Sequence, residues 1–333
     1  MKKKNNQKQT QSTLTRFIVL VIFLLLTVYA GNSDLKGYID NIGFNNPSSG
    51  ANENIGGNVE NISSDIDSSV SNNTNENVGE LDIYYFDVGQ ADSILLRCDN
   101  HNMLIDAGNN ADGKLIVNEL KSMGIDTIDY LIGTHAHEDH IGGLDDVIDN
   151  FNIENFYMPS KEYTSATYKS VLKSAENKNL EVESPNVGDK FELGSATCEV
   201  MSIDNDAKEL NLTSIVIEVT NGDNKFLFTG DAEIENEEKR LWNDIDVLKV
   251  GHHGSRTSTS EDFIEQTQPE VAVISLGEGN SYGHPHQETI DLLNEYNVTI
   301  YRTDTQGTIH ITSDGENYNV ETLDIHLDGD KKK

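Results

Sequence analysis

Three imidazoles and a carboxylate crowd into Thr134-His135-Ala136-His137-Glu138-Asp139-His140, between the apolar stretch Asp129–Gly133 and the pair Gly142-Gly143. Neutral ring nitrogens beside a hard oxygen suit one or two transition-metal ions. The spacing calls for a turn. In a strand, His135, His137 and Asp139 would share one face and His140 would point away. A tight loop lets His135 and His137 hold one ion while Asp139 and His140 hold another. A merely polar surface loop is the plain alternative, but clustered His and Asp need compensating partners wherever they pack.

Three more clusters follow strand-like runs. In Phe228-Thr229-Gly230-Asp231-Ala232-Glu233, Asp231 stands at a strand end, placed either to bridge two ions or to cap the next helix. In Val250-Gly251-His252-His253-Gly254-Ser255, the adjacent histidines read as a metal ligand plus a substrate contact or proton donor. Tyr282-Gly283-His284-Pro285-His286 could lie over the site or form a rigid Pro loop before a helix. These motifs take seven of the ten histidines; His101, His310 and His326 have no comparable company and read as surface or strand residues.

Elements of two kinds must position these groups. Short β-like runs include LDIYYFDV, DSILLRC, HNMLIDAG, DYLIGTH, SIVIEVT, KFLFTGD, DVLKVGHH, EVAVISLG, VTIYRT and GTIHIT. Helix-like stretches lie between them: KLIVNELKSMG, IGGLDDVIDNF, TSATYKSVLKSAEN, NEEKRLWND and HQETIDLLNEY. Several end in Gly or Asn, the usual helix stop signals. Strands that alternate with helices, and strands that follow one another directly, predict a layered α/β domain over 80–320. A charged tail is expected over 321–333. No repeat of fixed period is present.

The N-terminus differs in character. Basic residues precede FIVLVIFLLLTVYA (17–30), which is short for a span of roughly 20 apolar residues and ends in Val28-x-Ala30. Residues 1–30 are expected to be a secretory signal peptide or an uncleaved anchor, and either form exports the remainder with the basic end inside. Membrane contact is expected only through residues 17–30. The Asn/Ser/Gly-rich stretch 31–79 carries too little apolar surface to offset ordering entropy and reads as a flexible linker. Of the two cysteines, Cys98 and Cys198, buried thiols are favoured over a disulfide.

The net charge is −33, and the first 30 residues hold five cations and no acid, so the acidity belongs to the rest of the chain. Such a surface repels phosphate backbones, which disfavours nucleic acid as a partner, although cationic metals could still accept one phosphate ester locally. Lys249, Arg256 and Arg302 are the only cations near the site motifs.

HxHxDH, TGDAE and VGHHGS in this order resemble the metallo-β-lactamase superfamily. More narrowly, FDVGQADSILL (86–96), LIDAGN (104–109), THAHEDHIGG (134–143), LKVGHHGS (248–255), YGHPH (282–286) and YRTDTQGTIHI (301–311) resemble the hydrolase domain of the ComEC/Rec2 competence proteins and its free-standing relatives. The many membrane helices of the competence channel are missing, so an import pore is not expected. The resemblance covers about residues 81–315 and implies a four-layered αβ/βα sandwich with metals at one edge of the paired sheets. It implies His135 and His137 on the first ion, Asp139 and His140 on the second, Asp231 bridging, and one of the His252/His253 pair completing the second site. His252 is taken as that ligand and His253 as the group facing substrate. Asp87, Asp106 and Asn109 are implied as supports for the ligands.

One departure stands out: no histidine lies between His140 and Asp231, where the wider superfamily places another ligand of the first ion. Asn211-Leu212-Thr213-Ser214 stands there instead, matching the competence-type pattern. Mostly imidazole ligands favour zinc, in two sites, over manganese.

The expected function is therefore an exported metal-dependent hydrolase, cleaving a phosphate ester or phosphodiester with metal-bound hydroxide. Asp139 would orient the nucleophile, and His253 or His284 would stabilise the developing oxyanion. A small-molecule or cell-envelope ester is the expected substrate. Lactone or β-lactam hydrolysis, or a non-catalytic module binding a metal or the cell wall, are the alternatives.

Overall fold

The computed structural model describes residues 78–329, so the apolar run 17–30 and nearly all of the expected linker lie outside the described residues. Among the described residues no helix is long and apolar enough to cross a membrane.

Alternation of residue type sets the strands. Leu81, Ile83 and Tyr85 are buried while Asp82 and Tyr84 between them are only partly so, the period-two signature of a strand with one inward face. The first sheet runs in spatial order β15 (Tyr318–Leu323), β14 (Thr308–Ser313), β1 (Leu81–Tyr85), β2 (Ile94–Cys98), β3 (His101–Ile105), β4 (Thr127–Ile132), β5 (Asn152–Tyr157), β6 (Val182–Glu183). The second runs β13 (Thr299–Arg302), β12 (Val271–Ile274), β11 (Val247–Lys249), β10 (Asn224–Phe228), β9 (Val216–Asn221), β8 (Ala196–Ser202), β7 (Lys190–Leu193).

Each sheet is antiparallel on one side and parallel on the other: β3–β6 and β10–β13 are parallel throughout. Parallel strands need long crossovers, which helices supply. On the first sheet these are α1 (Gly113–Ser122), α2 (Glu138–Ile141), α3 (Leu144–Asn150) and α4 (Ala166–Lys178); on the second, α5 (Ile234–Glu237), α6 (Glu261–Thr267) and α7 (Gln287–Glu295). Local signals delimit them. Ser165 Oγ accepts from Tyr168 N (3.1 Å) to start α4, and Asn179 ends it in the left-handed region.

Side chains divide among three interfaces, as four layers require. Ile83, Leu96, Ile217, Phe226 and Phe228 meet between the sheets. Ile116, Leu120, Val147 and Val171 seal the helices onto the outer face of the first sheet. Phe263, Ile264 and Leu293 do the same for the second. Fully burying each such side chain contributes about 1.5–3 kcal/mol. Within β12, Val271 and Val273 face the other sheet while Ala272 and Ile274 face the helices, which is why parallel strands read as unbroken apolar runs. Cys98 and Cys198 are free and buried in the inter-sheet core.

Two boundaries differ from expectation. NEEKRLWND, expected helical, keeps only the short α5 at its start; Trp242 buries its ring and its Nε1 donates to Glu237 O (2.8 Å), breaking the helical course. Nor do residues 321–329 form a charged tail. They complete β15, then place buried Leu327 under the β1–β2 loop, where its N–H donates to Asp87 O (2.7 Å). Gly329 N donates to Asp112 Oδ1 (2.7 Å). Leu323, Ile325 and Leu327 alternate with polar residues here, and Ile325 and Leu327 pack on the core of the first sheet.

The loops leaving β3, β4, β10 and β11 carry LIDAGN, THAHEDH, TGDAE and VGHHGS respectively. All four strands belong to the parallel halves, where the carboxyl ends of strands make the site-forming edge.

Candidate metal centre

Two glycines let the loops approach. Gly230 takes a φ of +52° to turn the chain off β10 and present Asp231. At Gly142 a Cβ would meet Asn109 C at 2.2 Å and Asn110 N at 2.3 Å, so only glycine lets the histidine loop pack on the Asn109 turn.

The structure brings all six expected ligands together around Asp231. His135 Nε2 lies 2.9 Å from His137 Nδ1 and 3.9 Å from Asp231 Oδ2. His140 Nε2 lies 3.2 Å from Asp231 Oδ1. His253 Nε2 sits 3.6 Å from the same oxygen and 3.4 Å from Asp139 Oδ2. Ligand atoms about 2.0–2.2 Å from one tetrahedral ion stand at separations of this order. His135, His137 and Asp231 make one potential ion site; Asp139, His140 and His253 make a second.

Burial tests the fit. His140 Nε2, His253 Nε2 and Asp231 Oδ1 are buried with no hydrogen-bond partner, although they point at one another. Buried polar atoms are otherwise almost always partnered. A shared cation would satisfy all three, and the residues present fit divalent metal.

Behind these atoms the rings are held from the far side. Asp106 accepts from Thr134 N (2.8 Å) and Thr134 Oγ1 (2.7 Å), and its Oδ2 meets His140 Nδ1 at 2.8 Å. His253 Nδ1 donates to Ser275 O (2.9 Å). Each contact fixes the ring so that Nε2 faces the centre. Asp87, expected as a support, turns instead to Gly89 N (3.2 Å) and His326. Asn109 engages Asp112 through its N (2.7 Å) and Nδ2 (3.1 Å) and lines the cavity above.

At the second site the structure groups His253, rather than the expected His252, with Asp139 and His140. His253 is buried with Asp139 and His140, whereas the His252 side chain is 24% exposed and lies at 3.8 Å from Asp231 Oδ2. Both residues adopt left-handed backbone, with φ of 48° and 52°. Such conformations cost on the order of 1–3 kcal/mol each and persist where the surroundings impose them. Here they turn the second ring inward and leave the first at the rim.

A buried ion pair lies beneath the centre, unread in the sequence. Lys249 Nζ is 2.6 Å from Asp92 Oδ2, and both side chains are almost fully buried. Asp92 also faces His253 Nδ1 (3.5 Å) and His140 Nδ1 (3.8 Å). Its backbone ties two loops: Asp92 N donates to Asp139 O (3.1 Å) and Gly108 N donates to Asp92 O (2.8 Å). DVGQADS and LKVGHH held the signal, but nothing in them showed that β11 runs beside the β1–β2 loop.

Electrostatics sort the histidines into two kinds. Burial holds His135 and His137 below the ordinary range, so they are neutral at pH 7. Burial also opposes charge on His140 and His253, but Asp231, with Asp106 for the first and Asp92 for the second, outweighs it and raises both. Burial likewise works against charge on Asp139 and Asp231, yet the neighbouring imidazoles hold both below the usual carboxylate range. Metal uptake therefore competes with protons at His140 and His253. Titrating the metal-free protein with zinc at pH 7 in buffers of differing ionisation enthalpy should show release of about one proton or more per protein. No release would mean that neither ring is raised.

Above the centre opens a cavity of about 550 Å³, bordered by His137, Asp139, His252, His253 and His284. Burial, then His253 and His252, push His284 down to about 4, so it is neutral at pH 7. Its Nδ1 lies 3.5 Å from Gln90 Nε2. His286 turns away, accepting from Arg256 N (3.0 Å). The three outlying histidines each face an aspartate: His101 Asp129, His310 Asp82, and His326 Asp87.

Two helix-flanked sheets with a His/Asp metal cluster at one edge define a metallohydrolase class. The match of residues 86–278 to the metallo-β-lactamase superfamily model shows that this chain belongs to that superfamily. It is 33% identical over 254 residues to ComE operon protein 3 of Bacillus subtilis, covering 69% of this chain and 32% of that protein. It is also 32% identical over 232 residues to Recombination protein 2 of Haemophilus influenzae, covering 68% and 28%. These relatives bear out the competence-type resemblance, although the chain spans only about a third of their length. Among solved structures, the metallo-β-lactamase fold protein YhfI of Bacillus subtilis aligns at a TM-score of 0.49 with 10% identity, over 71% of this chain and 100% of that one.

Proposed function

We propose that the chain is an exported zinc-dependent hydrolase that cleaves a phosphodiester or phosphate ester of small size. The observation that carries hydrolysis is the buried, unpartnered trio His140 Nε2, His253 Nε2 and Asp231 Oδ1, two of whose residues, His253 and Asp231, border the cavity. Two bound zinc ions would supply a water activated near neutral pH and Lewis-acid stabilisation of developing negative charge.

The chain's own residues do the rest. Asp139, ionised and 31% exposed, borders the cavity and can accept a hydrogen bond from the attacking water and so orient it. His284 is neutral and so serves as a hydrogen-bonding contact to substrate oxygen rather than as a cationic acid. Gln90, Asn109, Asn280 and Tyr282 add neutral polar groups to the wall.

Charge favours a small substrate. Among the described residues, those bordering the cavity include Glu138, Glu278 and Asp328 and no Lys or Arg. A phosphodiester carries one negative charge, which two ions can offset locally. A long polyanion would meet acidic walls without a basic path, so nucleic acid is the disfavoured partner. Export rests on the basic start and the apolar run 17–30.

The full chain, loaded with zinc, should hydrolyse bis(p-nitrophenyl) phosphate with a rate that chelator abolishes. Turnover of a lactone or nitrocefin instead would overturn the ester assignment. Tight metal binding with no turnover of any of these would favour a binding module.

A further inference from the structure

The first ion lacks its usual third imidazole, since no histidine lies between His140 and Asp231. The Asp231 carboxylate shows where the replacement comes from. Its Oδ1 lies between His140 Nε2 (3.2 Å) and His253 Nε2 (3.6 Å). Its Oδ2 lies in the same manner between His135 Nε2 (3.9 Å) and His252 Nε2 (3.8 Å). Each oxygen therefore has one imidazole from the histidine loop and one from the His252-His253 pair.

His252 is also prepared as ligands usually are. Its Nδ1 is engaged by Glu233 Oε1 (3.2 Å) and Thr257 Oγ1 (3.1 Å), leaving Nε2 toward Asp231. A carboxylate behind one ring nitrogen, with a metal in front of the other, is the common arrangement for ligating histidine. Successive left-handed residues hold the two rings 6.3 Å apart at 66°, so that they serve opposite sides of the carboxylate. Asn211, which stands where the missing histidine is expected, donates from Nδ2 to Glu233 Oε1 (3.0 Å) and lies beside the His252 ring, 3.3 Å from Nδ1 and 3.4 Å from Nε2. It braces the substitute.

We propose that His252 is a ligand of the first ion, so that the adjacent pair serves two different ions. His135, His137, His252 and Asp231 Oδ2 hold one; Asp139, His140, His253 and Asp231 Oδ1 hold the other. Asn211 and Glu233 are positioning residues for His252. The assignment rests on the metal-centre reading and on no particular substrate.

Cobalt(II) titration of the metal-free full chain, read by d–d absorption and by bound-metal analysis, tests it. The parent should take up two ions. His252→Ala should keep one and weaken the other by at least the roughly 10–100-fold that loss of a supporting hydrogen bond already costs a metal site. Adding His135→Ala to His252→Ala should remove no further ion, whereas adding His253→Ala should remove the second. His252→Gln, which preserves side-chain bulk, should behave like His252→Ala, with far-UV circular dichroism showing that both remain folded. Parental affinity for two ions in both variants would overturn the proposal. So would a parent that binds fewer than two, or loss from His252→Ala of the ion that His253→Ala loses. A chain that shows the expected pattern yet cleaves no ester would keep this assignment and overturn the proposed activity.

Discussion

Asp231→Ala should lower kcat/KM for any ester the enzyme turns over by on the order of 10³-fold or more, because metal stabilisation is worth several kcal/mol and each 1.36 kcal/mol is tenfold. The reason is geometric. Among the described residues, Asp231 is the one carboxylate whose two oxygens face imidazoles of both halves of the centre. Removing it takes a ligand from each side at once and leaves His140 Nε2 and His253 Nε2 buried against each other's surroundings. The fold should survive, because the strand before it is secured by Phe226 and Phe228 in the inter-sheet core. Steady-state kinetics and bound-metal analysis on the same preparation would check both halves of the statement. Unchanged turnover with two ions still bound would remove Asp231 from the centre.

Lys249→Met carries the largest expected loss of stability. The ammonium is completely buried, 2.6 Å from Asp92 Oδ2, and also donates to Val250 O at 3.0 Å. Deleting one partner of a buried pair leaves the other charge uncompensated, at a cost of about 3–5 kcal/mol. Urea denaturation in the presence of chelator would measure this without help from bound metal. Replacing both partners with apolar residues of similar size should recover most of the loss, since hydrophobic substitutes for whole buried pairs are often neutral or stabilising. A single variant as stable as the parent would show that the pair contributes nothing to folding.

How much of this the sequence disclosed depended on whether the signal was local. Period-two alternation in Leu81–Tyr85 and the apolar run Val271–Ile274 announced strands because burial follows residue type directly. The histidine loop and Asp231 were legible because their residue types are costly to pack without a metal. Asp92 was not, since one aspartate among several in a loop has no periodic or compositional mark. Lys249 read as an ordinary cation near the site until β10 and β12 enclosed its strand. That His253 rather than His252 joins Asp139 and His140 was not legible, because backbone φ, not residue type, decides which ring turns inward. Residues 321–329 looked like a tail because they run into a charged end, although Leu323, Ile325 and Leu327 alternate with polar residues and Leu327 is buried.

The placement of the centre at the seam of the sandwich has a mechanical consequence. His135 hangs from a strand of one sheet and His253 from a strand of the other, far apart along the chain. An ion shared across Asp231 would act as a removable cross-link, closing a long loop much as a disulfide would, in a chain whose two cysteines are free. Stability gained this way scales with free metal, about 2.7 kcal/mol at a hundredfold excess over Kd, so resistance to heat and proteases would rise and fall with the supply of that metal in the surroundings.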